Sequence, residues 1–194
     1  MTSSPEPIVT SDFDVVARVI RARRTSMLVD QSRDVPDDVI DELLELASWA
    51  PCHKRTWPWR FAVLRGDSRS TLGHVVSDAM ARSGDEPAKV NKARTKYTRT
   101  PVVLVVASVP GDSDQRTEEN RDATAVAVQN FMLGATARGI ATYWGSCPKG
   151  ADADVARMCG FESGSKIAGI IYVGWASSTV APPDRPAPIV NRLS

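Results

Sequence analysis

The chain has 194 residues, of which 42% are hydrophobic and 24% charged, as in a globular protein with one full core. Its net charge of +1 at pH 7 excludes a global field that would attract nucleic acid or an anionic membrane. No apolar run is long enough to span a membrane, and the polar N-terminus MTSSPEPIVTSDFD lacks the basic-then-apolar order of a signal peptide. The three cysteines lack the spacing of a metal site. We therefore expect a cytoplasmic protein without nucleic-acid or membrane partners.

The first half of the chain predicts mainly helices. Residues 1–10 are expected to form a flexible leader and residues 11–178 a single domain. An amphipathic helix should begin near Ser11 or Asp12 and end around RARR, and a second should run from Pro36 until Pro51 stops it. The next segments are, in order, a strand WRFAVL and helices in DSRSTLGHVVSDAMARS and EPAKVNKARTKY.

The second half combines buried strands with one long helix. PVVLVVASV is a continuous β-branched run, which predicts a strand buried on both faces. The polar segment GDSDQRTEEN is expected to be a solvated loop, followed by a helix from about Arg121 to Arg138 that Gly139 ends. The remaining segments are, in order, the extended piece IATYWGSCP, a short helix DADVARMCG and a buried strand KIAGIIYVGW. Residues 179–194 are too proline-rich for regular structure and are expected to form an extended arm against a partner.

The first candidate motif is RARRTSM, residues 21–27, at the predicted end of the first helix. Adjacent arginines and hydroxyls at this position can hold a phosphate through charge-assisted hydrogen bonds. The alternative is a cationic helix cap that faces water and interacts only with the helix dipole.

The second motif is WAPCHKRTWPWRF, residues 49–61, which holds three of the five tryptophans. Aromatic surface beside a donor-rich loop suits a planar heterocycle. The alternative is a hydrophobic lid with two solvated cations. A nucleophilic Cys52 beside His53 is a less favoured interpretation, because neighbours in sequence seldom face each other.

The third motif is YWGSCP, residues 143–148, in which Gly145 permits close backbone approach. Taken alone, it is equally a plain turn between a helix and a strand. The chain has no GxGxxG or Walker sequence, and its two histidines give little material for a metal site or a catalytic triad.

These motifs occur in a fixed order: RRTSM, APCHKRTWPWRF, TPVVLVVAS, ENRDATAVAVQNFMLGATARGI, YWGS and IIYVGW. In this order the chain resembles the FMN-dependent nitroreductase family, in particular its short members, from Phe13 to about Trp175. The resemblance implies an α+β fold with a central mixed sheet flanked by helices. It also implies an interwoven homodimer with FMN at the interface.

The resemblance also assigns cofactor-binding residues. Arg23, Arg24 and Thr25 match the segment that holds the FMN phosphate and ribityl chain. Trp49 and His53 fall where the second subunit closes over the isoalloxazine ring, and Trp144, Gly145 and Ser146 match the segment beside flavin N5. Arg185 in the tail is a further candidate near the phosphate.

The function implied is an NAD(P)H-dependent oxidoreductase that acts by ping-pong through flavin N5. NADH or NADPH would supply hydride to a nitroaromatic, quinone or other electron-poor acceptor, with no catalytic side chain and no metal. Three alternatives stay open: a specialised FMN-dependent reductase or dehydrogenase, a flavin-sequestering protein with little turnover, and an interaction module that binds no flavin.

Overall fold

The structure is a computed structural model that describes residues 11–193, so the predicted leader lies outside the described residues. Six helices and four strands follow one another along the described chain. In chain order they are α1 (Asp12–Ala22), α2 (Asp37–Ser48), β1 (Trp59–Leu64), α3 (Asp67–Arg82), α4 (Pro87–Thr95), β2 (Val102–Ser108), α5 (Asp114–Ala137), β3 (Ile140–Gly145), α6 (Asp152–Met158) and β4 (Lys166–Trp175). Two single-turn 3₁₀ helices lie at His53–Arg55 and Lys96–Arg99.

The four strands form one sheet in the order β1-β2-β4-β3. Each neighbouring pair is antiparallel. A single parallel bridge, between Thr25 and Thr142, adds the segment after α1 to the outer edge of β3. The predicted α+β class is therefore confirmed, and within the described residues the expected mixed character of the sheet is limited to this bridge.

The sheet lies between two layers of helices because its central strands are apolar on both faces. Every residue of β2 is buried, as its continuous β-branched run predicts. Val102, Leu104 and Val106 join the core beneath α2 and α5, whereas Val103 and Val105 face α3, α4 and α6. Strands β1 and β4 coincide with the predicted segments WRFAVL and KIAGIIYVGW.

The prediction of the polar segment before α5 was wrong. GDSDQRTEEN was expected to be a loop, but α5 begins within it, at Asp114, seven residues before the expected Arg121. The Ser113 hydroxyl accepts the backbone N–H of Arg116 at 3.2 Å and caps the helix, and Asp114 complements the helix dipole. The first turns bury little apolar surface, so they show no hydrophobic period.

Beyond Trp175 the described chain has no regular helix or strand, as the proline content predicts. Residues 179–193 are exposed, and Ile189 is 98% accessible. Among the helices of residues 11–193, none is long and apolar enough to cross a membrane.

Candidate functional site

The segment after α1 runs along the outer edge of β3. The Ser26 N–H donates to the Thr142 carbonyl at 3.0 Å, next to the Thr25–Thr142 bridge. Further along, the Asp30 N–H donates to the Trp175 carbonyl at 2.9 Å. Helix α1 therefore ends where its last arginines lie beside the sheet edge.

The two adjacent arginines have different environments. Arg24 Nη1 donates to the carbonyls of Arg21, at 2.6 Å, and Arg23, at 2.7 Å, and so caps the end of α1. The Arg23 guanidinium forms no ion pair within residues 11–193. Its pKa is lowered by burial, then by the charges of Arg185 and Arg24. The tail residue Arg185 thus lies near Arg23, and the three arginines form a positive cluster without a carboxylate partner among the described residues.

Two buried polar atoms beside this cluster lack a partner in the described part of the chain. They are Arg24 Nε, in the cluster itself, and Thr142 Oγ1, on β3. Thr142 is bridged to Thr25, the residue that follows Arg24. Buried donors and hydroxyls are normally satisfied, so these two atoms are exceptions in the interior beside the cluster.

At the end of β3, Trp144 is fixed by contacts inside the protomer. Its indole Nε1 donates to the Ala168 carbonyl at 3.1 Å, and its ring lies directly over Gly169. Gly145 pairs with Ile170, and the exposed Ser146 follows the strand. A Cβ at Gly145 would meet only ordinary contacts, the nearest at 3.4 Å, so packing within the protomer does not require a glycine.

Lys96, which no sequence motif indicates, lies close to the turn after β3. Its amine is half-buried, approaches the Tyr97 ring at 4.8 Å, and has no ion pair within residues 11–193. Burial is the largest cause of the lowered pKa of Lys96. Burial also raises the pKa of the nearby Cys147 to about 12, so this thiol is neutral beside the amine at pH 7. In the sequence KARTKY, Lys96 cannot be told from a surface lysine.

The loop before β1 adopts an unusual backbone. Lys54, Arg55 and Trp57 have positive φ angles of 56°, 55° and 40°, a region that non-glycine residues seldom adopt. Cys52 holds the loop, because its Sγ accepts the Trp57 N–H at 3.3 Å and contacts the Thr56 hydroxyl at 3.2 Å. This engagement gives Cys52 a structural part in the loop.

His53 is an exposed side chain of this loop and contacts α5. Its Nδ1 lies 2.9 Å from Glu119 Oε2 and 3.1 Å from Arg116 Nη1. The expectation that Asp114–Glu119 is only a solvated loop is therefore wrong, since Glu119 is a helical partner of a predicted site residue. Sequence alone gives no signal for a contact across 66 positions.

Trp49 ends α2 and is 75% exposed. Its indole N–H donates to the Glu45 carboxylate. The ring borders an apolar groove between α1, α2 and α5, with Val16 and Ile20 on the α1 side. No residue of the described protomer covers its outer face.

The predicted site residues fall into two groups. Arg23, Arg24, Thr25, Trp144, Gly145 and Ser146 lie along β3 or beside it. His53 precedes β1, the opposite edge of the sheet, and contacts Glu119 near the start of α5, whereas Arg24 lies near Thr136 towards the end of the same helix. Trp49 also precedes β1, but its groove places it against α1. One protomer therefore brings the first group together and leaves His53 apart from it. Within the described range, no cluster of His, Cys, Asp or Glu could hold a metal ion.

Comparison with known proteins identifies the family. The family model "Nitroreductase family" matches residues 20–175. The chain belongs to the nitroreductase family. Relatives include YdjA of Escherichia coli strain K12, named as an NAD(P)H nitroreductase, which is 26% identical over 184 residues and covers 92% of this chain and 99% of its own.

Solved nitroreductase structures share the fold. A nitroreductase-like family protein from Bacillus cereus has a TM-score of 0.75 at 27% identity, over 94% of this chain and 95% of its own. A Bacteroides fragilis nitroreductase with bound FMN has a TM-score of 0.74 at 21% identity, over 95% of this chain and 100% of its own. The family resemblance inferred from the ordered motifs is thereby confirmed.

Proposed function

We propose that this nitroreductase-family protein is an FMN-dependent NAD(P)H oxidoreductase. The observation that carries the proposal is the positive cluster of Arg23, Arg24 and Arg185 beside an edge strand that ends in Gly145. Bound FMN would supply the hydride chemistry, accepting hydride from NADH or NADPH and passing reducing equivalents to an electron-poor acceptor in ping-pong order. Nitroaromatics and quinones are the proposed acceptor classes.

The cluster fits the FMN phosphate. Arg23 is free to donate to phosphate oxygens, and Thr25 next to it offers a hydroxyl at the sheet edge. Arg185 adds a second free cation from the tail. Arg24 has one Nη atom engaged by the helix cap, so its proposed part is its charge.

The end of β3 fits the isoalloxazine ring. Gly145 lacks a Cβ where the protomer itself would tolerate one, which favours close approach of a ligand to the backbone. Gly145 would let the ring approach the strand end, Ser146 would direct its backbone N–H group to the N5 edge, and Trp144 would hold the strand end in place. The unpaired Lys96 near this turn would stabilise the negative charge that the ring gains on reduction.

A second copy of the chain would supply Trp49 and His53. Within one protomer His53 lies at the other end of α5 from the phosphate cluster, so a composite site explains how both can contact one cofactor. The proposed interface includes α1, which buries none of its residues and exposes Phe13, Val16 and Ile20. The exposed proline-rich tail would form part of the same interface.

Replacing Val16 by aspartate is expected to weaken the dimer. The Val16 side chain is 56% exposed in the protomer, and in the proposed dimer it would make apolar contacts that a charged side chain cannot make. Analytical ultracentrifugation should give a dimer for the wild type and a lower association constant for the variant, with FMN lost in parallel. Arg18→Asp, on the opposite side of α1, is the control and should leave the dimer intact. A Val16→Asp dimer that retains FMN would contradict this interface.

The proposed function is tested by the visible absorbance spectrum of purified protein, recorded before and after incubation with FMN and desalting. Retention of about one FMN per chain supports the cofactor assignment. Rapid bleaching by NADH or NADPH and reoxidation by a quinone or nitroaromatic supports turnover, whereas slow reduction by both supports a sequestering protein. A colourless protein after FMN addition overturns the proposal.

A further inference from the structure

Glu119 is the centre of a small polar cluster at the start of α5. Its Oε2 accepts from Arg116 Nη1 at 2.5 Å and contacts His53 Nδ1 at 2.9 Å. Its Oε1 accepts from Gln115 Nε2 at 3.0 Å. Both carboxylate oxygens are therefore engaged, and the hydrogen bond with His53 is the largest cause of the lowered pKa of Glu119.

The backbone near His53 is fixed by the residue that follows Glu119. The Thr56 hydroxyl donates to Asn120 Oδ1 at 2.8 Å, and Asn120 Nδ2 donates to the Val109 carbonyl at 3.2 Å. Asn120 is 3% exposed, so this anchor is part of the protein interior. Two consecutive residues of α5 thus hold the loop and the imidazole that it carries.

Two groups compete for Nδ1 of the neutral His53 ring. Glu119 Oε2, at 2.9 Å, is an ionised carboxylate that only accepts, so its contact favours a proton on Nδ1. Arg116 Nη1, at 3.1 Å, only donates and would favour the opposite tautomer, but it already donates to Glu119 Oε2 at 2.5 Å. The carboxylate contact is the shorter of the two contacts with Nδ1, and it favours the Nδ1–H tautomer. The other ring nitrogen, Nε2, has no hydrogen-bond partner within residues 11–193 and is the atom that the exposed ring offers to a ligand.

We propose that Glu119 is a positioning residue that holds His53 in the Nδ1–H tautomer, so that Nε2 is presented as a hydrogen-bond acceptor to the flavin, or its substrate, in the partner subunit's site. This inference rests on the proposed function, because it assumes that His53 faces a bound flavin. Arg116 and Gln115 hold the Glu119 carboxylate in turn. Sequence motifs give no indication of this role, since Glu119 lies in a polar stretch far from His53.

The tautomer can be measured without flavin. Nitrogen NMR of the neutral imidazoles is simple here, because the chain has two histidines and a His74→Gln variant assigns the signals. We expect the Nδ1–H signature for His53 in the wild type and in Glu118→Ala, a control at the neighbouring exposed acid. Glu119→Ala leaves only the donor Arg116 beside Nδ1, so it should shift His53 to the Nε2–H tautomer. An unchanged tautomer in Glu119→Ala overturns the inference.

A double-mutant cycle on the FMN-loaded protein tests the functional half. Glu119→Ala should lower the rate of flavin reduction by NADPH about tenfold, as expected when the partner of a functional histidine is lost. In a His53→Ala background it should have less than about a twofold further effect, because the two residues act as one unit. Equal effects in both backgrounds would show a merely structural role and overturn the inference. A wild type that retains no FMN overturns the proposed function instead, whatever the NMR result for the tautomer.

Discussion

Arg23→Ala is expected to weaken FMN binding by about 2–3 kcal/mol, roughly 30- to 160-fold in Kd. The substitution removes a guanidinium that no carboxylate in residues 11–193 neutralises and that the nearby Arg185 disfavours electrostatically. A phosphate dianion would relieve that repulsion, so the lost interaction is charge-assisted. Titration of the apoprotein with FMN, followed by flavin fluorescence, gives the two dissociation constants.

Arg21→Ala is the matched control for Arg23→Ala. Arg21 is an exposed arginine of the same helix end, and its side chain forms no hydrogen bond or ion pair within residues 11–193. Its replacement should change the FMN dissociation constant less than about twofold, through loss of long-range attraction alone. Equal affinity of Arg23→Ala and wild type would refute the phosphate assignment.

Gly169→Ala is expected to lower the free energy of unfolding by about 2–4 kcal/mol and to disturb the end of β3. A Cβ at this position would lie 2.2 Å from Trp144 Nε1 and 2.6 Å from its Cδ1, so the indole must move. Movement breaks its hydrogen bond to the Ala168 carbonyl, beside the irregularity in β2–β4 pairing at Val106/Ala107. Chemical denaturation followed by fluorescence measures the loss.

Gly145→Ala separates the needs of the fold from those of the ligand. The added methyl group meets nothing closer than 3.4 Å, so the free energy of unfolding should change by less than about 1 kcal/mol. FMN affinity should nevertheless fall if the ring lies against the Gly145 backbone. Unaltered FMN binding would mean that the ring does not lie against Gly145. A destabilisation equal to that of Gly169→Ala would contradict the packing argument.

The sequence predicted the packed strands well, because burial on one or both faces leaves an apolar pattern in their residues. WRFAVL and KIAGIIYVGW became strands with the expected bounds, and the β-branched run of β2 is buried throughout. The start of α5 was not predicted, because it is stabilised by the Ser113 cap and by polar pairs, which leave no hydrophobic pattern in the sequence.

The candidate site was predictable as far as local motifs reach. The ordered motifs identified the family, and the segment after α1 does lie beside β3. Arg185, named from the family resemblance as a candidate near the phosphate, does lie near Arg23. Two other contacts are distant in sequence and were not predicted: Glu119 with His53, and Cys147 with Lys96. They depend on which helices and loops pack together in the fold, and a single sequence carries no signal for that packing.

The division of predicted site residues between two sheet edges has a genetic consequence under the proposed dimer. A chain that carries Arg23→Ala and a chain that carries His53→Ala are each impaired in both sites of their own homodimer. In a mixed dimer one site collects both substitutions, and the other is fully native. Co-expression of two defective alleles should therefore restore up to half of the wild-type activity per mixed dimer, which is intragenic complementation.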